Sequence, residues 1–140
     1  VRSGTTWTQQ AYLKASNPDI QDSFGSRLAL SGDGATLAVG AQNEDSAAQG
    51  INARQDDNSA LEAGAVYLFT RNDGAWAQQS YVKASNNEAF DEFGGALALN
   101  RDGRMMVVGA RGEDSSARGV SGNQADNVLD ESGAVYVFTR

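Results

Sequence analysis

Short apolar runs alternate with clusters of Gly, Asp, Asn and Ser along the whole chain, and no apolar stripe at helical spacing persists long enough to make a helix. The pattern predicts an all-β chain. Trp7 to Lys14 (WTQQAYLK) and Trp76 to Lys83 (WAQQSYVK) read as polar, amphipathic, half-wet strands. Phe24 to Leu30 and Phe93 to Leu99 read as second strands. Each is followed across an Asp-Gly turn (Asp33-Gly34, Asp102-Gly103) by a third, Thr36 to Ala41 or Met105 to Ala110. Asp-Gly between apolar runs signals a hairpin, because Gly takes positive φ cheaply and Asp tolerates it. The fourth strands, Ala65 to Thr70 (AVYLFT) and Ala134 to Thr139 (AVYVFT), are apolar at successive positions and predict cover on both faces.

The two sets of strands are copies. Sliding the chain by 69 residues aligns residues 7–71 with 76–140 without a gap, and 35 of the 65 aligned pairs are identical. Residues 1–140 therefore form a single two-repeat unit. Arg2, Arg71 and Arg140 share one phase, so the chain opens and closes at equivalent points, which predicts a segment of a longer array. Gly25, Ala29, Ala38 and Gly40 place small side chains on the second and third strands, whereas the first is larger and wetter. That gradient suits a wedge-shaped sheet narrowing toward an axis, the shape of a propeller blade.

Composition removes most catalytic chemistry. The chain has no cysteine and no histidine, which excludes disulfides, thiolate zinc sites and imidazole acid–base or triad catalysis. A formal charge of -7 has the wrong sign for binding nucleic-acid phosphates or anionic membranes, and no apolar run approaches the roughly 20 residues of a spanning helix.

Phe24-Gly25 followed by Gly40-Ala41, and Phe93-Gly94 followed by Gly109-Ala110, resemble the FG-GAP repeats of integrin-type β-propellers, and the closing GAVYLFTR and GAVYVFTR resemble bacterial cell-surface members. The Pro of "GAP" is replaced by Gln42 and Arg111. The resemblance covers both copies and implies two four-stranded antiparallel β-propeller blades, each running from an inner FG strand to an outer Trp strand. Phe24 to Lys83 then makes one whole blade. The other is split, with its outer strand at Trp7 to Lys14 and its three inner strands from Phe93 to Arg140. Two blades cannot close a ring of about four to eight. The expectation is closure by oligomerisation, each copy lending its N-terminal strand to its neighbour, with a trimer or tetramer favoured. The alternatives are irregular packing of an excised fragment and strand exchange in a dimer.

Family members often carry calcium in the hairpin after the FG strand, within D-x-D-x-D-G-x-x-D. Here Asp33-Gly34 and Asp102-Gly103 match the D-G step and Asn100 offers an oxygen, but Ala29, Ser31 and Leu37, like Ala98 and Met106, stand where other ligands belong. The hairpin acids read as turn formers. A calcium ion is better sought in the long connections 42–63 and 111–132. Both retain Glu, Asp and Asn at matching places: Glu44, Asp45, Asp57 and Asn58, then Glu113, Asp114, Asp126 and Asn127. Oxygens in this pattern suit Ca2+ as the candidate cofactor. The same side chains also hold a loop in compact turns by hydrogen-bonding backbone amides.

Trp7, Trp76, Tyr12 and Tyr81 offer faces for stacking on sugars or for clamping blade edges, and Arg71 and Arg140 are placed to pair with neighbouring carboxylates. The leading functional expectation is a non-enzymatic extracellular or cell-surface scaffold, whose loops serve adhesion or protein recognition. A lectin-like oligomer binding glycans is the second reading. A carboxylate enzyme is third, since nothing fixes two acids at a working separation.

Overall fold

The computed structural model describes residues 2–140, in nine strands and no helix: β1 (Arg2–Ser3), β2 (Thr6–Trp7), β3 (Arg27–Leu30), β4 (Thr36–Ala41), β5 (Ala65–Asn72), β6 (Ala75–Val82), β7 (Ala96–Leu99), β8 (Met105–Ala110) and β9 (Ala134–Thr139). They form an antiparallel four-stranded sheet β3-β4-β5-β6, a three-stranded sheet β7-β8-β9 and a small hairpin β1-β2. The first sheet is the whole blade expected from Phe24 to Lys83, and the second holds the three inner strands of the split one.

Two expected strands are shorter than the sequence pattern implies. Phe24-Gly25 and Phe93-Gly94 precede the ladders, because the glycines sit at φ +95° and +94° in a turn. Their amides nevertheless reach the third strand, Gly25 N–H to Gly40 O at 3.0 Å and Gly94 N–H to Gly109 O at 3.1 Å. Trp7 to Lys14 is also not a strand in the single chain; only Thr6–Trp7 pairs, with Arg2–Ser3. The register Arg2↔Trp7 reproduces Arg71↔Trp76 at the tip of the β5–β6 hairpin, so the turn forms wherever its sequence recurs. Beyond it, β6 continues along β5, whereas residues 9–14 pair with no strand among the described residues.

Strand alternation decides what each sheet presents. On one face of the first sheet Val39, Ala41, Ala65, Tyr67, Phe69 and Tyr81 form a core, joined by Phe24, Leu37, Trp76 and the N-terminal Leu13 and Ala15. Phe24 meets Tyr67 edge-on at 5.3 Å, as Phe93 meets Tyr136 at 5.4 Å, a favourable aromatic geometry. The opposite face, carrying Ala38, Val66 and Val82, packs against Phe93, Met106, Val108 and Tyr136 of the second sheet.

The two sheets come close enough for backbone to meet backbone. A Cβ on Gly94 would stand 2.7 Å from Ala65 O, and one on Gly64 would collide with Phe93 O. The FG segment of the second sheet hydrogen-bonds directly to the loop of the first, Phe93 N–H to Ala63 O at 3.0 Å and Phe90 N–H to Leu61 O at 2.8 Å.

Candidate functional site

The chemistry gathers around a buried glutamate rather than in an open pocket. Glu44 opens the long connection 42–63 beside the β5–β6 ladder, and its carboxylate is enclosed. It accepts from Lys83 Nζ at 2.7 Å, Tyr81 Oη at 2.8 Å, Asn17 Nδ2 at 2.9 Å and the Ser46 amide at 3.2 Å. Asn17 also takes the Tyr67 hydroxyl at 2.6 Å. Lys83 is 0% exposed and its partner Glu44 1%. Burial pushes the Lys83 ammonium below the ordinary lysine range, while Glu44 pulls it back. Burial beside Glu44 raises both tyrosine hydroxyls, so Tyr67 and Tyr81 remain protonated donors.

Around this node the loop folds back over the outer strand. Lys83 N–H donates to Gly50 O at 2.8 Å, Gly50 N–H to Ala84 O at 3.2 Å and Asn52 N–H to Tyr81 O at 2.7 Å, with a bridge between Ile51 and Val82. The end of the outer strand is thus held in a slot, β5 on one side and residues 50–52 on the other.

The second repeat builds the same slot with nothing in it. Glu113, 4% exposed, accepts from Asn86 Nδ2 at 2.9 Å and the Ser115 amide at 3.2 Å. Tyr136 Oη reaches Asn86 Oδ1 at 2.7 Å, as Tyr67 reaches Asn17. Among the described residues no cation pairs with Glu113. Where the first repeat seats its outer strand, the second has an open cleft of about 360 Å³ lined by Glu113, Ser115, Gly119, Gly133, Val135 and Tyr136.

The other candidate metal residues hydrogen-bond within the chain. Asp45 Oδ1 accepts the Glu62 amide at 2.8 Å and Asp114 Oδ1 the Glu131 amide at 2.7 Å. Asp57 accepts from the Ser59 amide at 2.9 Å, and Asp126 from the Ser116 amide at 2.9 Å. Asn58 donates to Asp19 at 2.5 Å, and Asn127 to Glu88. Among the described residues no three acidic side chains gather as a group that would hold a metal ion. Through Asn58 and Asn127 each long loop is tied back to the segment that leads into its own repeat's FG turn.

Asp33 closes its turn through Ser31 Oγ and the Ala35 amide, and Asn100 spends its oxygen on the Met105 amide at 3.0 Å. Arg71 is not paired with a carboxylate: its guanidinium lies over the Trp76 ring at 5.8 Å, and Arg140 donates to Thr36 Oγ1 at 3.1 Å.

Sequence reasoning overlooked three features. Lys83 reads as the wet end of a polar strand, yet its ammonium is the buried partner of Glu44; the paired recurrence of Lys14/Lys83 and Glu44/Glu113 was the available signal. Asp22 and Asp91, buried behind the FG turns, are the second. Burial, with Glu88, Glu113 and Asp114 close by, pushes the Asp91 carboxyl up to about 6, against the pull of the Glu88 amide. The third is the ion pair between Arg111 and Glu92, which lines a cleft of about 540 Å³ at the FG end of the second sheet.

The FG-GAP repeat family model matches this chain twice, over residues 7–69 and 76–138. No curated protein and no solved structure matches it.

Proposed function

The chain belongs to the FG-GAP repeat family, and from that premise we propose that it is a non-enzymatic extracellular or cell-surface scaffold whose copies close into a ring and present loops for adhesion or protein recognition. The family supports a β-propeller repeat scaffold. No helix among the described residues is long and apolar enough to cross a membrane.

One comparison within the molecule carries the assembly. Val66 is 0% exposed because the second sheet covers it; Val135, its counterpart one repeat later, is 68% exposed and Val137 61%. On the opposite end Leu28 and Leu30 lie bare, whereas their counterparts Leu97 and Leu99 are half-buried against the first sheet. The Val135 face of the second sheet and the Leu28–Leu30 edge of the first therefore stand open, and each is the mate of the other by the packing already present inside the chain. Burying a Val or Leu contributes about 1.5 to 3 kcal/mol. Such head-to-tail faces close as rings when the rotation between copies divides a full turn, which the wedge shape of propeller blades favours. Since each copy brings two sheets, three or four copies reach a blade number within the propeller range.

Recognition then falls to the surfaces the ring leaves free, among them the outer turns of the long loops at residues 51–59 and 120–130, where Ile51, Arg54, Asp56, Val120 and Val128 are exposed. Light scattering tests the reading: a folded species of three or four times 14.7 kDa is expected. A folded monomer at tens of micromolar would contradict it.

A further inference from the structure

The empty slot of the second repeat is shaped for one sequence in particular. In the first repeat the slot holds Tyr81, Val82 and Lys83, with the Tyr81 hydroxyl and the Lys83 ammonium both on Glu44. One repeat earlier, the residues in those positions are Tyr12, Leu13 and Lys14. Tyr12 is 78% exposed, Trp7 80%, and Lys14 is exposed too. Glu113 is meanwhile buried with neither a tyrosine hydroxyl nor a cation among its described partners. A buried carboxylate without a cation is costly, so slot and strand each lack what the other carries.

We propose that residues 7–14 of a second copy of this chain enter the cleft between β9 and residues 119–121, with Lys14 Nζ and Tyr12 Oη closing on Glu113. The inference rests on the ring reading above and specifies the contact that makes it. The chain's own N-terminal segment is committed elsewhere. Leu13 and Ala15 pack on the Val39 and Tyr67 face of the first sheet, and Asn17 is held by Glu44. That is the face turned away from the second sheet, so another copy must supply the strand.

The register follows by moving the β5–β6 pairing one repeat along on the acceptor and one back on the donor. Val66↔Val82, Tyr67↔Tyr81 and Arg71↔Trp76 become Val135↔Leu13, Tyr136↔Tyr12 and Arg140↔Trp7. Trp7 must then exchange Arg2 for Arg140 as its partner. Leu13 and Val135 come to lie on opposite strands over the same new core, as Val82 and Val66 do now.

The chain has no cysteine of its own, so single cysteines report the register cleanly. Leu13→Cys and Val135→Cys chains are mixed, oxidised mildly and run on a non-reducing gel, beside a mixture of Gln10→Cys and Val135→Cys chains. Position 10 lies three residues out of register, beyond the reach of a disulfide. A cross-linked pair from the first mixture alone supports the proposal. Equal cross-linking in both mixtures overturns it. A ring-sized species that fails to cross-link overturns strand donation while leaving the ring itself standing, whereas a monomer removes both. As a second measurement, Lys14→Met is expected to weaken association by about two orders of magnitude or more, by leaving Glu113 without its cation, and Glu113→Gln added to it to restore part of the loss. Unchanged association in Lys14→Met would overturn the role given to Lys14.

Discussion

Replacing Lys83 with Met isolates the energetics of the slot. Met retains most of the apolar stem, so little cavity opens, but the carboxylate of Glu44 loses the ammonium 2.7 Å away at a site where both side chains are essentially inaccessible. Removing one partner of such a pair costs about 3 to 5 kcal/mol, because the remaining charge stays buried. A domain of this size has about 5 to 15 kcal/mol in all, so the loss is a large share of its stability. Near this length 1 kcal/mol moves Tm by roughly 3 °C, which places the fall at roughly 10 °C or more. Urea unfolding can be followed by tryptophan fluorescence, since half-buried Trp76 beneath Arg71 will dominate the change over exposed Trp7. Runs at two protein concentrations separate folding from association. Adding Glu44→Gln should recover about 2 kcal/mol or more, since the uncompensated charge is gone. A loss below about 1 kcal/mol in Lys83→Met, with simple additivity in the double variant, would refute the buried pair as a structural centre.

Gly94→Ala should lower Tm by several degrees more than Gly25→Ala in the unassembled chain. Both residues have φ near +95°, but only at Gly94 does the new methyl meet backbone, 2.7 Å from Ala65 O, while Gly25 faces open space. Asp91 makes stability depend on pH. Its folded value of about 6 lies above the ordinary 3.8, so its contribution is fully present below about pH 4 and lost as pH rises through 6. Asp91→Asn should flatten that decline between pH 4.5 and 7.5 and gain on the order of 1 to 2 kcal/mol at the upper end; an unaltered pH profile of Tm would refute it. Calcium added to chelator-treated protein is expected to leave Tm unmoved, because Asp45, Asp57, Asp114 and Asp126 already serve backbone amides. A saturable rise with calcium would support the loops as metal ligands.

What the sequence revealed follows from which forces are local. Asp33-Gly34 and Asp102-Gly103 place their hairpins because positive φ is a property of the residue. Tyr67 and Phe69 are legible as core because unbroken apolar runs need cover on both sides. The starts of β3 and β7 differ from the pattern: Phe24 and Phe93 look like strand residues, but each packs edge-on against a core tyrosine beside a glycine turn, and at Phe93-Gly94 that turn meets the backbone of the first sheet. The fate of Trp7 to Lys14 could not be read from its own pattern, since a strand is defined by the edge it finds. Burial of Lys83 was equally hidden, because a lysine in a polar run carries no local sign that a loop 30 residues away will fold over it. The acids of the long loops matched a ligand pattern for the same chemical reason that they make good turns: carboxylate oxygens accept from amides and from cations alike.

Amide hydrogen exchange over residues 9–14 and 135–139, measured above and below the association concentration, tests the strand exchange most directly. In the single chain residues 9–14 lie outside any strand, whereas β6, which holds most of their counterparts one repeat on, is laddered to β5 on both sides of a bulge at Gln79. The predicted result is slow exchange in both segments, appearing together as concentration rises and matching the protection of β6. Fast exchange at 9–14 in an assembled species, or protection unrelated to concentration, would contradict it.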